Sequence, residues 1–155
     1  MSAVKSFLLA IELATRQRDQ AIHVLSQLTK VHFFAQNQMN QLETYAAETE
    51  SRWAAAAKNS TSRELLQHHY QFMGRLHHAI GLQKGTLDNE DRKVAQAKQR
   101  VLDAEFRLLG LNQVLKKKQA DLAALQARRE QKQMDEFSAN RSSQLTGDYF
   151  SGDRS

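Results

Sequence analysis

The side chains best suited to chemistry in this sequence are two histidine pairs, His68-His69 and His77-His78, and the triplet Lys84-Gly85-Thr86. Histidines that share a metal ion on a helix stand four residues apart, because that spacing turns both rings to one face. The residues four beyond these histidines are Phe72, Met73, Gly81 and Leu82, so the spacing is not met and the rings read as solvated. The triplet has the residue types of a phosphate loop but lacks the Gly-x-x-x-x-Gly-Lys order and a strand before it. No nucleophile, base and orienting group stand at a workable spacing. The sequence therefore reads as a non-enzyme, with no metal, no cofactor and no small-molecule substrate expected.

Charge is the next resource. Between Arg92 and Lys132 there are eleven basic residues (92, 93, 98, 100, 107, 116, 117, 118, 128, 129 and 132) and four acidic ones (103, 105, 121 and 130). That segment carries 11 − 4 = +7 of a total of +5, which leaves the rest of the chain at −2. Such a stripe fits an acidic partner, whether nucleic acid, anionic lipid or a protein surface, and it equally fits a solvated helix face. Phe106 is the only aromatic residue within it. A stacking platform for nucleic acid is therefore missing, and no nucleic-acid partner is expected.

The elements that must carry these residues are long helices. The 155 residues include no proline and no cysteine. Proline breaks helix interiors, so its absence permits uninterrupted ones; the absence of cysteine removes disulfides and thiolate metal sites. The apolar start, Met1 to Ile11, is interrupted by Glu12 and reads as an amphipathic helix rather than a signal peptide. No run approaches the ~20 apolar residues that span a bilayer. The expectation is a soluble, cytoplasmic protein.

Two heptad series run through the chain. In the first, a positions are Val4, Ile11, Arg18, Leu25, His32, Met39, Ala46 and Trp53, and d positions are Phe7, Ala14, Ala21, Leu28, Ala35, Leu42, Thr49 and Ala56. In the second, a positions are Leu66, Met73, Ile80, Leu87, Val94, Val101, Leu108, Leu115 and Leu122. The corresponding d positions are His69, Leu76, Gln83, Glu90, Ala97, Ala104, Leu111, Lys118 and Leu125. A strict seven-residue repeat is the signature of a left-handed coiled-coil seam. Arg129 and Lys132 then break the pattern.

Asn59-Ser60-Thr61 separates the series. Asn59 suits a left-handed helix stop, and Thr61-Ser-Arg-Glu64 has the form of a capping box. So short a link makes the helices antiparallel. The predicted fold is all-α: a helix over about 3–58, a tight turn at 59–61, and a helix over about 62–138, paired as an antiparallel two-stranded coiled coil. At ~1.5 Å per residue the paired stretch is roughly 80 Å long. The end of the second helix should project unpaired, and residues 139–155, rich in Ser, Asn, Gly and Asp, read as a disordered tail. Gly74, Gly81 and Gly85 mark the place where that helix bends most readily.

Two patches stand out as contact surfaces. Phe72, Leu76 and Ala79 lie at i, i+4 and i+7 along one strip beside the seam, where Phe72 either folds over the core or faces a partner. Gln133, Met134, Asp135, Glu136 and Phe137 lie on the projecting segment, where Met134 and Phe137 have nothing to pack against.

These two stretches carry a resemblance. Arg129-Glu-Gln-Lys-Gln-Met-Asp-Glu-Phe137 is similar to the Lys-x-Met-Asp-Glu-Phe run near the C-terminus of the flagellar type III export protein FliJ family. Tyr70-Gln-Phe-Met-Gly-Arg-Leu-His-His-Ala-Ile80 is similar to that family's Gln-Phe-x-x-x-Leu-x-x-Ala-Ile segment. The resemblance covers roughly residues 1 to 141. It implies a central stalk, like the shaft of rotary ATPases, that enters the hexameric export ATPase ring, meets the cytoplasmic domain of the export gate and handles export chaperones. Such a protein works at the cytoplasmic face of the inner membrane. Carried over by residue, the resemblance assigns Phe72, Leu76 and Ala79 to the gate. Gln83 stands where the family strip often has histidine. Lys116, Lys117, Lys118 and Gln133 to Phe137 are the expected ATPase contact. The equivalent stalk of a virulence secretion system, and a basic coiled-coil adaptor for nucleic acid or anionic membrane, are the alternative readings.

Overall fold

With good helix formers throughout and no proline to interrupt them, the backbone closes its hydrogen bonds within two long helices. In a computed structural model these are α1, Ser2–Ala57, and α2, Arg63–Ser151. The structure describes the backbone of residues 2–151 and the side chains of residues 3–147. The helices pair as an antiparallel coiled-coil hairpin: residue numbers that rise along α1 meet falling numbers along α2. The carbonyl of Ala35 accepts a bond from Gln83, Tyr45 meets Phe72, and Trp53 stacks on His69.

The seam follows the heptads. Every a and d residue of α1 is buried or half-buried except Ala56; on α2 the exceptions are Leu66, Leu122 and Leu125. Two units are distinguishable along the pair, Leu13–Arg107 and Met1–Glu12 with Leu108–Ser155. The first holds two apolar clusters: Ala35, Met39 and Leu87, and Ala46, Met73 and Leu76, with Ile80 packed against both. Alanine alternating with Leu or Met lets the backbones approach closely, and each buried large side chain contributes ~1.5–3 kcal/mol. The second unit centres on Leu108 and on Phe7, over whose ring Lys118 Nζ sits 4.6 Å from the centroid.

The turn differs from the sequence expectation in two respects. Asn59 is not left-handed, because no described residue has a positive φ. The amides of Asn59 and Ser60 instead both bond the Ala56 carbonyl, at 3.2 and 3.3 Å, which supplies partners that helix end needs without a left-handed residue. The cap of α2 is also one residue later than the predicted box. Ser62 Oγ, not the Thr61 hydroxyl, accepts the amide of Leu65 at 3.2 Å. Glu64 then falls in the first turn, where its charge favours the positive end of the helix dipole.

The far end of α2 differs as well. The helix continues beyond Ser138 to Ser151, through much of the stretch that reads as a disordered tail from its composition. Residues 152–155 of that stretch lie outside the described residues. Nothing in this segment breaks a helix except Gly147, and Thr146 Oγ1 bonds back to the carbonyls of Ser142 and Ser143. From residue 119 to residue 147 every side chain is exposed.

Candidate interaction surfaces

The strip Phe72–Leu76–Ala79 does not face solvent uniformly. Leu76 is buried within the seam cluster with Ala46 and Met73, so its side chain is already occupied by α1. Phe72 is half-buried, packs on that cluster, and meets Tyr45 edge to face. Ala79, about two turns further along α2, is half-buried. Gln83 is held by α1: its Nε2 donates to the Ala35 carbonyl at 2.8 Å and to Gln38 Oε1 at 3.3 Å. A hollow lined by Gln38, Gln41, Leu42, Tyr45 and Gln83 adjoins it. The available surface is therefore composite, with the outer face of Phe72 and Ala79 from α2 and the tyrosine and amides from α1.

The α1 half of that surface is absent from the sequence reading. A signal for it existed, because Tyr45 occupies the g position of its heptad, and antiparallel pairing brings g of one helix against g of the other, where Phe72 lies. The register that places those two residues together is a tertiary fact.

The basic and apolar residues beyond the seam divide differently. Lys116 and Lys117 are exposed, whereas Lys118 is half-buried through its contact with Phe7. Gln133 to Phe137 are all exposed, with Met134 at 67% and Phe137 at 68%. Glu130, Gln133, Met134, Phe137 and Ser138 outline one shallow depression on this helix. Asp135 is partly occupied by Gln131, which donates to it at 3.1 Å. Near the start of α1, Ala3 and Val4 share a hollow with Lys118, Asp121, Leu122 and Leu125, so the two leucines are only half covered.

The residues singled out for chemistry all lie within α2. The His69 ring lies flat on Trp53, centroids 4.4 Å apart and planes 6° apart. His68, His77 and His78 are exposed. Among the described residues no three His, Asp or Glu side chains gather as a metal site. Lys84, Gly85 and Thr86 lie inside α2, where Thr86 Oγ1 bonds the Leu82 carbonyl and no loop exists to hold a phosphate. No helix among the described residues is long and apolar enough to cross a membrane.

Within the seam, a carboxylate is buried. Glu90 is 8% exposed; its Oε1 accepts from Lys93 at 3.2 Å, and its Oε2 is buried without a donor. His32 Nε2, on α1, pairs with Asp91 on α2.

A protein-family model described as "Flagellar FliJ protein" matches residues 5–145. No curated protein and no solved structure matches the chain.

Proposed function

The chain belongs to the FliJ family, and from that membership we propose that it is the non-enzymatic stalk of the flagellar protein export apparatus. In this role it enters the ring of the hexameric export ATPase, meets the export gate, and escorts export chaperones at the cytoplasmic face of the membrane. The observation that carries the reading is the exposed overhang of α2. Met134 and Phe137 are large, apolar and uncovered, in a helix that has outrun its own partner. Exposed apolar side chains of that size mark a surface that another protein covers. Lys116 and Lys117 add positive charge on the same helix, suited to acidic groups lining a ring.

The gate contact is read onto the composite surface around Phe72. Leu76 supports that surface from beneath, holding Phe72 in place through the seam. Ala79, about two turns along the same face, leaves room for a partner side chain.

Co-purification tests this assignment. The full chain should retain the export ATPase and, separately, the cytoplasmic domain of the export gate. Truncation before Arg128 should abolish the first and spare the second. Retention of the ATPase by the truncated chain would refute the assignment of the overhang. Steeply salt-dependent binding to DNA or anionic vesicles, with neither protein retained, would instead support a basic adaptor.

A further inference from the structure

The polar layer at Glu90 lies in a seam whose apolar layers repeat every heptad. Two observed layers fix the count: Trp53 lies against His69, and Ala46 clusters with Leu76. Continuing by heptads places His32 opposite Glu90, consistent with its pairing to the neighbouring Asp91. If α1 moved one heptad toward the C-terminal end of α2, most apolar layers would be replaced by equally apolar ones. Leu42 would exchange Ile80 for Leu87, and Ala35 would exchange Leu87 for Val94. In the terminal unit, the same count moves Val4 from Lys118 to Leu125 and brings Phe7 to Leu122. Those are the two leucines now 45% and 52% exposed.

At the bend the Trp53–His69 stack would be lost in such a shift, but little else is packed there. Residues 61–68 of the turn and of the first turns of α2 are all exposed, including Leu65 and Leu66. Segments with so few buried contacts open at low free energy. The polar layer does oppose the shift, as does the bond from Gln83 to the Ala35 carbonyl. In the shifted register His32 would leave Asp91 and Glu90 for Lys98 and Ala97, and Glu90 would lie against the apolar Met39. A polar group at a seam position lowers stability and selects register, its best-attested use.

We propose that His32, Glu90 and Asp91 form a register lock, and that the hairpin has a second register, one heptad displaced, which this lock holds off. The shift would carry Tyr45 from Phe72 to Ala79 and bring Arg52 opposite Phe72, while the leucines near the start of α1 become covered. The α1 half of the proposed gate surface would thus change from Tyr45 to Arg52. That consequence rests on the stalk reading, whereas the two registers rest on the hairpin alone.

The chain has no cysteine, so engineered disulfides report register directly. Ala35→Cys with Leu87→Cys reads the observed register, and Ala35→Cys with Val94→Cys reads the shifted one. In the otherwise unaltered full chain, the first pair should oxidise and the second should not. His32→Glu repels Glu90 and Asp91 in the observed register and attracts Lys98 in the shifted one. It should raise the 35–94 to 35–87 product ratio at least about tenfold. Retained helicity with an unchanged ratio would overturn the proposal. If His32→Glu instead loses helicity, His32→Leu with Glu90→Leu decides, since it removes the lock without adding repulsion. The 35–94 product should then appear, and its absence would overturn the second register. Neither outcome involves the gate or the ATPase, so failure here leaves the stalk assignment standing.

Discussion

Tyr45 of α1 and Phe72 of α2 stand edge to face, their ring centroids 6.1 Å apart and their planes at 82°. The pair joins a residue singled out in the sequence to one that was not, and it makes the surface around Phe72 a product of both helices. Aromatic pairs of this geometry contribute about 0.5–1.5 kcal/mol beyond the area they bury. A double-mutant cycle on Tyr45→Leu and Phe72→Leu, followed by thermal or denaturant unfolding, should return a coupling energy in that range. A value near zero would mean that the rings only lie near one another.

Phe72 and Leu76 should separate when changed singly. Leu76→Ala removes a buried seam side chain and should cost about 2–5 kcal/mol, seen as a lowered midpoint of unfolding. Phe72→Ala should cost less, because the ring is only half-buried, yet weaken retention of the gate domain more. If both variants lose gate retention only in proportion to lost stability, the strip is core and not a contact.

Charge reversal is cleanest at Lys116 and Lys117. Lys118 sits over the Phe7 ring, so reversing it would also disturb the start of α1. Lys116→Glu with Lys117→Glu should leave the unfolding midpoint within about 0.5 kcal/mol of the parent. It should weaken ATPase association and flatten its salt dependence. Unchanged binding across a salt series would remove these lysines from the interface.

Gly74, Gly81 and Gly85 each have open space where a Cβ would stand, and none has a positive φ. Alanine at each should therefore stabilise α2 by about 0.4–1 kcal/mol, through the unfolded chain and helix propensity alone. A triple-alanine variant should unfold at higher temperature. A fall in gate retention despite that gain would show that the pliancy of this stretch is used in binding.

The last turns of α2 have helical bonds but no packing. Isolated helices of modest length are marginal in water. Amide exchange at residues 139–147 should thus be much faster than at seam residues such as Leu87 or Ala97. Truncation after Ala139 should leave the unfolding midpoint unchanged. Strong protection there would require a contact that α1 does not supply.

The heptads at Val4–Ala56 and Leu66–Leu125 make the hairpin legible in the sequence. A seven-residue apolar repeat has one favourable way to be buried, and a short turn leaves one direction for the second helix. The unequal lengths of the series likewise foretold that Met134 and Phe137 would be uncovered. The composition of the last residues was a poorer guide. Polar content says that a segment has no core to join, but not whether its backbone forms a helix.

The tight turn set the stagger to within a few residues, but a heptad repeat is nearly degenerate to displacement, and only the tertiary structure decided which residues meet. The sequence placed Phe72 beside the seam and left open whether it met a partner or the core. The observed register set it against Tyr45, buried Leu76 beneath it, and tied Gln83 to the Ala35 carbonyl. The same register paired His32 with Asp91 next to a buried Glu90, two departures from the apolar pattern that look unrelated in the sequence. Periodicity determines which face is buried, since that depends on spacing within one helix. Which residues meet depends on the second helix, and on the few polar groups that make one stagger better than the next.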